Sequence, residues 1–366
     1  MGFELNKSYS GFRLTKKEEI AEIKSLGLFF EHDVTGAELL VLENDDDNKV
    51  FSATFRTPPE NDTGIAHILE HSVLCGSKNF PVKEPFVELM KGSLQTFLNA
   101  MTFPDKTMYP VASRNRKDFF NLMNVYLDAV FYPNISEETF KQEGWHYELN
   151  SPEDKIVYKG VVLNEMKGEF SSPESCIDRH LAHSLFPSTP YGYESGGDPK
   201  SIPDLTYVDF KDFHKKHYHP SNSRLFLYGD GDTQSYLKFL QEKYLQDFGH
   251  MDVNTSIAHQ RSFRKPKRKS LTYPVSSHES PEKKTFVLVG YKLDKAINHE
   301  HCLGFSILSH LLLGSSASPL RKALITSELG SEVIGGGFDD NRADTIFAVG
   351  LKGTEAEHEN KVIALR

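Results

Sequence analysis

The 366-residue sequence predicts an α+β protein. Segments with strand-like apolar runs bounded by turn residues occur at 27–57, 95–113 and 223–229. Segments with apolar residues at helical spacing lie between and after them. At about 150 residues per domain, the length leaves room for roughly two to three domains with sizeable cores.

Residues 1–250 are expected to form the first domain. Residues 27–57 contain three apolar runs separated by turns, which predicts a strand meander. Ser136 is expected to cap the helix that it begins, and the long helix over 160–186 is expected to be interrupted near residues 171–173. The other predicted elements, in order, are a helix over 64–74, strands over 95–103 and 107–113, helices over 117–131, 136–149 and 160–186, a strand over 223–229, and a helix over 233–247.

Residues 251–283 have few aliphatic side chains and include the basic run 261–269, so they predict a linker. The basic run is interpreted as a solvated connector, with a nucleic-acid-binding patch as the alternative. From residue 284 a strand, two helices and a strand follow, and the pattern stops within a helix-like segment at residue 366. We interpret 284–366 as the incomplete start of a second α/β domain.

The composition argues against several classes of function. A net charge of −9 and a pI near 6.0 give no basic field for nucleic acid. The apolar runs are far shorter than the roughly 18 residues of a membrane span, and the N-terminus resembles no secretory signal. Three scattered cysteines, Cys75, Cys176 and Cys302, are expected to be reduced thiols. A cytoplasmic location is the resulting expectation.

The sharpest motif is the pentapeptide from His67 to His71, with Glu70 between the two histidines. On a helix, residues four apart share a face, so two imidazoles can bind one metal ion. Glu70 can then reach a metal-bound water and accept its proton. The alternative is a solvent-facing helix that carries two histidines by chance.

Two observations favour the metal site. Residues 62–64, Asp-Thr-Gly, are expected to cap the helix, and its other face is apolar. Glu165 lies on an otherwise apolar stretch, and a buried unpaired carboxylate costs several kcal/mol, which calls for a cation. Two other motifs are interpreted as turns: the aspartates of 45–47 rather than a calcium loop, and the glycines of 335–337 rather than a phosphate loop.

Three long segments, 64–113, 131–149 and 160–175, contain GIAHILEHSVLCGS, FKQEGWHYEL and GVVLNEMKGEF. They resemble the presequence protease and falcilysin branch of the pitrilysin-type metallopeptidases, a group of inverzincins. The resemblance runs from about Phe12 to Gly353. It implies a pitrilysin-like α/β roll, in which helices pack on one face of a mixed sheet, and a truncated second domain of similar architecture.

The resemblance also implies the roles of the site residues. His67, His71 and Glu165 would hold one Zn²⁺ per chain, and Glu70 would be the general base. Glu169 is a rival ligand because it lies one helical turn from Glu165, and otherwise it would support the ligands or lie at the surface.

The strand near the metal is implied to receive substrate as an added β-strand, with an ordinary internal strand as the alternative. Its residues are Phe97, Leu98, Asn99, Ala100 and Thr102. The implied activity is zinc-dependent endopeptidase cleavage of unstructured oligopeptides. The family is about a thousand residues long, and its C-terminal half supplies an Arg and a Tyr to the reaction. That half would be a missing partner of this chain. The alternatives are a non-catalytic peptide-binding or assembly homologue and an inactive N-terminal fragment.

Overall fold

The computed structural model describes residues 2–83, 85–273, 275–276 and 278–365, which form two compact units. The first unit comprises Met1–Asn164 and Ser195–Thr255, and the second comprises Glu165–Glu194 and Ser256–Arg366. The two units are therefore interleaved along the chain. The domain ranges expected from the sequence are different, and they remain a prediction.

The strands of the described residues are β1 (Ser8–Tyr9), β2 (Phe12–Ile20), β3 (Ser25–His32), β4 (Glu38–Glu43), β5 (Lys49–Arg56), β6 (Gln95–Leu98), β7 (Met101–Thr102), β8 (Lys106–Ser113), β9 (His146–Glu148), β10 (Val157–Lys159), β11 (Ser223–Gly229), β12 (Thr285–Lys295), β13 (Glu332–Asp339) and β14 (Asp344–Thr354). The helices are α1 (Ile65–Val73), α2 (Pro85–Gly92), α3 (Arg116–Phe131), α4 (Glu137–Glu143), α5 (Val161–Glu169), α6 (Pro173–Leu185), α7 (Tyr207–His217), α8 (Thr233–Lys243), α9 (His299–Leu313), α10 (Pro319–Thr326) and α11 (Glu359–Ala364).

The first unit is built on a nine-stranded sheet in the order β1-β2-β3-β4-β11-β5-β8-β6, with β7 also paired to β8. Strand β11 runs parallel to β4 and antiparallel to β5, so the sheet is mixed. The prediction of a meander over 27–57 is wrong for β4 and β5, which are not neighbours in the sheet. Strands β3 and β4 pair directly, but β11, which comes much later in the chain, separates β4 from β5.

The core of the first unit follows one row of side chains across six paired strands. Each member lies opposite the next in the strand register, and all are buried. The row consists of Leu14, Phe30, Leu39, Leu225, Ala53 and Tyr109. Because side chains alternate between the faces of a strand, this register places one apolar face of the sheet in the core.

Helices cover this sheet. Helix α3 packs on β5 and β8, and α1 packs on β7 and β8 and against α4 and α7. Asn115 caps α3 and Ser136 caps α4, each accepting a hydrogen bond from the amide three residues later. The prediction for Ser136 is confirmed. The mixed sheet with packed helices confirms the predicted fold class.

Two element boundaries differ from the prediction. The helix expected over 136–149 ends at Glu143, because the chain turns at Gly144 and continues as strand β9. The strand expected over 95–103 is interrupted at Asn99 and Ala100, which separate β6 from β7. The expected break in the helix over 160–186 is confirmed: Pro173 starts α6 and Ser172 caps it.

The second unit contains a three-stranded antiparallel sheet in the order β12-β14-β13. One of its buried clusters consists of Val287, Leu324, Val349, Leu351 and Val362, and another consists of Leu185, Phe186, Tyr191 and Ile346. Helix α6 packs on β12, and α9 packs on β13 and α10. Helix α9 is rich in apolar residues, yet none of its residues is buried.

The glycines of 335–337 do not form the flexible turn expected from the sequence. They lie within strand β13, whose register with β14 is irregular between Ile334 and Gly337. All three have positive φ, and Gly335 and Gly336 together lie opposite one residue of β14, so the one extra residue is accommodated in a bulge that side chains would strain. Among the described residues, no helix is both long and apolar enough to span a bilayer.

The core row gives a stability test. We expect Leu39→Ala to lower the free energy of unfolding by about 2–5 kcal/mol, because it leaves a cavity between β3 and β11. Leu40→Ala is the matched control, since Leu40 lies on the other face of β4 and is half-buried. Urea unfolding followed by circular dichroism measures both. Equal losses would contradict the assignment of the core face.

Candidate metal centre

Helix α1 carries the motif and has two distinct faces. Its buried residues are Ile65, Ala66, Ile68, Leu69, Ser72 and Val73. His67, Glu70 and His71 are half-buried on the remaining surface. The expected side-chain cap is absent: Gly64 is the N-cap residue, with φ of 68° and no side-chain hydrogen bond to the helix. Packing of the apolar face against the sheet and two helices therefore holds α1 in place.

The structure brings His67, His71 and Glu165 together. One possible ligand atom from each residue lies within 4.8 Å of the others, and the two imidazole rings are 5.0 Å apart between centroids. Helix α5 supplies Glu165. The boundary between the two units falls inside this continuous helix, between Asn164 and Glu165.

The reason given for Glu165 from the sequence is wrong, although its placement beside the histidines agrees with the expectation. Val162, Leu163 and Met166 form the buried face of α5, and Glu165 lies on the exposed face. Its carboxylate is therefore not a buried charge that demands a cation. Glu169 is not part of the cluster of three, and it accepts a hydrogen bond from the hydroxyl of Ser175.

Both histidines have a partner at Nδ1. His67 Nδ1 lies 3.0 Å from the carbonyl oxygen of Gly196, and His71 Nδ1 lies 3.3 Å from Oε2 of Glu143. A carbonyl and a carboxylate only accept hydrogen bonds, so we assign the proton of each neutral ring to Nδ1. This tautomer leaves the Nε2 lone pair available to a metal, as is usual for metal-binding histidines.

Glu143 is a site residue that the sequence reasoning missed. It is only 6% exposed and ends helix α4. Burial by itself would raise the pKa of its carboxyl, but hydrogen bonds from His71, Gln142 and Cys75 outweigh this effect and lower the pKa. Glu143 is therefore the buried carboxylate of the site. The available signal was its spacing of three from Phe140, which places both on the buried face of α4.

Glu70 has a partner from the neighbouring strand. The hydroxyl of Thr102, in β7, donates a hydrogen bond of 2.6 Å to Oε2 of Glu70. The family resemblance implied only a substrate-binding role for Thr102. In the structure its side chain contacts the candidate base and fixes the orientation of that carboxylate.

The other expected substrate residues lie at the edge of the sheet. Strand β6, which includes Phe97 and Leu98, is the last strand in the sheet order, and Phe97 is 46% exposed. The buried Tyr126 donates a hydrogen bond to the carbonyl of Asn99 between β6 and β7. Burial raises the pKa of Tyr126, and the carboxylate of Glu70 raises it further, so the hydroxyl remains a donor. An edge strand can pair with an added peptide strand, but substrate binding here remains a prediction.

The donor set fits a divalent transition metal. Two imidazole nitrogens and one carboxylate oxygen form one of the usual catalytic zinc sets, and they leave a fourth position for water. Ligand atoms around one tetrahedral zinc lie about 3.4 Å apart, given bonds of about 2.0–2.1 Å. The upper spacing of 4.8 Å in the cluster is wider, so side-chain rotation would have to bring the donors closer. This donor set beside a second carboxylate is typical of metal-dependent hydrolases.

Comparison with protein families agrees with that class. The model described as "Insulinase (Peptidase family M16)" matches residues 55–169, and the model described as "Peptidase M16 inactive domain" matches residues 204–365. The chain belongs to peptidase family M16. The two histidines, Glu70 and Glu165 all lie within the first match, and none lies within the second.

Two curated relatives match almost the whole chain. Protein HypA of Clostridium perfringens is 51% identical over 363 residues, which are 99% of this chain and 37% of HypA. Presequence protease 1, chloroplastic/mitochondrial, of Arabidopsis thaliana is 50% identical over 357 residues, which are 96% of this chain and 33% of that protein. The chain thus spans about a third of the length of these relatives.

The fold is shared with a solved structure of low sequence identity. The crystal structure of pitrilysin superimposes with a TM-score of 0.62 at 15% identity, covering 97% of this chain and 37% of that chain. This similarity confirms the predicted pitrilysin-like fold.

The cluster predicts the effect of removing one ligand. We expect His71→Ala to abolish tight binding of zinc, because one imidazole and one exposed carboxylate are too few donors. His299→Ala is the control, since His299 is an exposed residue at the start of α9. Competition with a chromophoric chelator measures both affinities. A full equivalent of tightly bound zinc in the His71 variant would show that His71 is not a ligand.

Proposed function

We propose that this chain carries the zinc site and general base of a metalloendopeptidase that cleaves unstructured oligopeptides. One observation carries the proposal: the candidate ligand atoms of His67, His71 and Glu165 converge. Glu70 lies on α1 with the two histidines, and its carboxylate is held by Thr102. Membership of a peptidase family and the presequence protease named among the relatives support the choice of reaction.

The proposed mechanism divides the work among these residues. His67, His71 and Glu165 would hold the metal, and Zn²⁺, when bound, supplies Lewis acidity that makes a water acidic and polarises a carbonyl. Glu70 accepts the proton of the attacking water and delivers it to the nitrogen of the leaving peptide. The hydroxyl of Thr102 engages Oε2 of Glu70, so we assign the proton transfer to Oε1. Glu143 and the carbonyl of Gly196 keep both imidazoles in the metal-binding tautomer.

The edge strand supports the choice of peptide substrates. Strands β6 and β7 lie beside β8 at the margin of the sheet, and α1 packs against β7 and β8. A substrate added to this edge would be held by main-chain hydrogen bonds, which suit many sequences. Its scissile bond would then lie near the motif helix, since Thr102 of β7 contacts Glu70.

The remainder of the longer relatives enters the proposal as a partner. Donors at the developing oxyanion typically contribute about 10²–10³-fold to turnover, and we propose that a C-terminal half supplies them. We therefore expect weak or no cleavage by residues 1–366 alone. The non-catalytic alternative has one observation in its favour, the match of residues 204–365 to the inactive-domain model, but that segment lies outside the metal cluster.

Separate substitutions distinguish the base from the ligand. Glu70→Gln cannot accept a proton, so we expect normal zinc binding and at least a ~100-fold loss of turnover. Glu165→Gln replaces an anionic ligand with an amide, so we expect at least ~10-fold weaker zinc binding. Glu169→Gln, one helical turn away, is the matched control and should bind zinc normally.

Zinc content is measured on the 366-residue chain, and turnover is measured after joining it to the rest of a long relative. Weak zinc binding by the Glu70 variant would contradict the assignment of Glu70 as a base that is not a ligand. Loss of zinc from the Glu169 variant, with normal binding by the Glu165 variant, would show that Glu169 is the ligand and Glu165 is not.

The edge-strand model predicts the range of substrates. A peptide added as a strand must be free of its own pairing, so we expect cleavage of unrelated unstructured peptides and no cleavage of the same segments within a stably folded domain. Mass spectrometry of the products, with a destabilised variant of the folded domain as control, measures this. Efficient cleavage at an internal structured site would contradict the model.

A further inference from the structure

Two glycines meet at the start of the motif helix. Gly64 precedes α1 with φ of 68°, and a Cβ atom added there would lie 2.6 Å from the oxygen of Gly196 and 2.7 Å from Cα of Gly197. Gly197 has φ of 101°, and a Cβ atom added there would lie 2.9 Å from Cα of Gly64. Both positions therefore exclude a side chain by conformation and by space. We call this close approach the glycine contact.

Main-chain hydrogen bonds hold the loop of residues 195–202 in this position. The amide of Asp198 donates to the carbonyl of Asp62 at 2.8 Å. The carbonyl of Asp198 accepts from the amides of Ser201 and Ile202, also at 2.8 Å. Ile202 is fully buried. The loop is thus fixed on one side to the residues that precede α1 and on the other to the core of the first unit.

The glycine contact positions a hydrogen-bond partner of His67, one of the three candidate metal ligands. It places the carbonyl oxygen of Gly196, the neighbour of Gly197, 3.0 Å from Nδ1 of His67. Because a carbonyl only accepts hydrogen bonds, it retains the proton on Nδ1 and sets the plane of the ring. His71 obtains the same restraint from the side chain of Glu143, whereas His67 obtains it from a main-chain atom that the close backbone approach brings to the ring.

We propose that Gly64 and Gly197 are positioning residues for His67. Their close approach keeps the Gly196 carbonyl at Nδ1, so that Nε2 faces the metal position before any metal binds. The inference rests on the proposed zinc site and adds a part of it that contacts neither metal nor substrate. Outer partners of this kind commonly contribute about 10–100-fold to metal affinity.

The test compares glycine variants with a matched control. Gly197→Ala and Gly64→Ala force the two backbones apart, and Gly249→Ala is the control because an added Cβ there meets nothing within 4 Å. Two quantities are measured on the 366-residue chain: the zinc affinity by chelator competition, and the tautomer of His67 in the metal-free chain by long-range ¹H–¹⁵N NMR. A purely structural role would lower stability without changing the tautomer.

We expect the two variants to bind zinc at least ~10-fold more weakly and to lose the fixed Nδ1 proton of His67, while the control matches the unaltered chain. Equal affinity, or an unchanged tautomer, in folded glycine variants would overturn the positioning role. A chain that binds no zinc before any substitution would instead overturn the proposed function.

A milder variant decides the matter if the alanine variants do not fold. Asp198→Ala removes the side-chain acceptor of the Lys200 amide and loosens the turn behind Gly197, while it retains every glycine. A smaller weakening of zinc binding with a mixed tautomer of His67 would support the proposal, and behaviour identical to the unaltered chain would overturn it.

Discussion

The burial of one face of helix α1 is the constraint on which the candidate site depends. The helix is short, has no side-chain cap and is held by the packing of its apolar residues on β7, β8, α4 and α7. An isolated helix of this length would not be stable in water. The same packing forces His67, Glu70 and His71 onto the remaining surface, where polar partners from other elements can reach them.

Each of these three residues has a partner from a different part of the first unit. The carbonyl of Gly196 contacts His67, Thr102 of β7 contacts Glu70, and Glu143 of α4 contacts His71. Restraint of a side chain before the ligand arrives reduces the entropy lost on binding. The first unit therefore builds a preorganised set of side chains from segments that are distant in sequence.

The comparisons assign the chain to a peptidase family, and two different family models match two separate segments of it. The three candidate ligands lie within the segment 55–169, which matches the Insulinase model, and the segment 204–365 matches the inactive-domain model. Strand β11, at 223–229 in the second match, completes the large sheet between β4 and β5. The second segment thus supports the fold of the first unit without contributing a candidate metal ligand.

Local patterns in the sequence were sufficient for much of the fold and for part of the site. Alternation and helical spacing predicted β11, α1 and α3 closely, and the spacing of the two histidines predicted that they lie on one face of α1, because these signals lie within a single element. Local patterns could not predict the sheet order, because the insertion of β11 between β4 and β5 depends on pairing across more than 160 residues.

The partners of the site residues were decided by tertiary structure for the same reason. Glu165 is exposed although its apolar neighbours in the sequence suggested a buried carboxylate, because burial depends on which elements pack against a residue. The buried carboxylate beside His71 is instead that of Glu143. The role of Gly196 could not be predicted at all, since its carbonyl acquires a function only when Gly64 and Gly197 come into contact. The sequence by itself determined which side chains could bind a metal, and only the tertiary structure decided which atoms orient them.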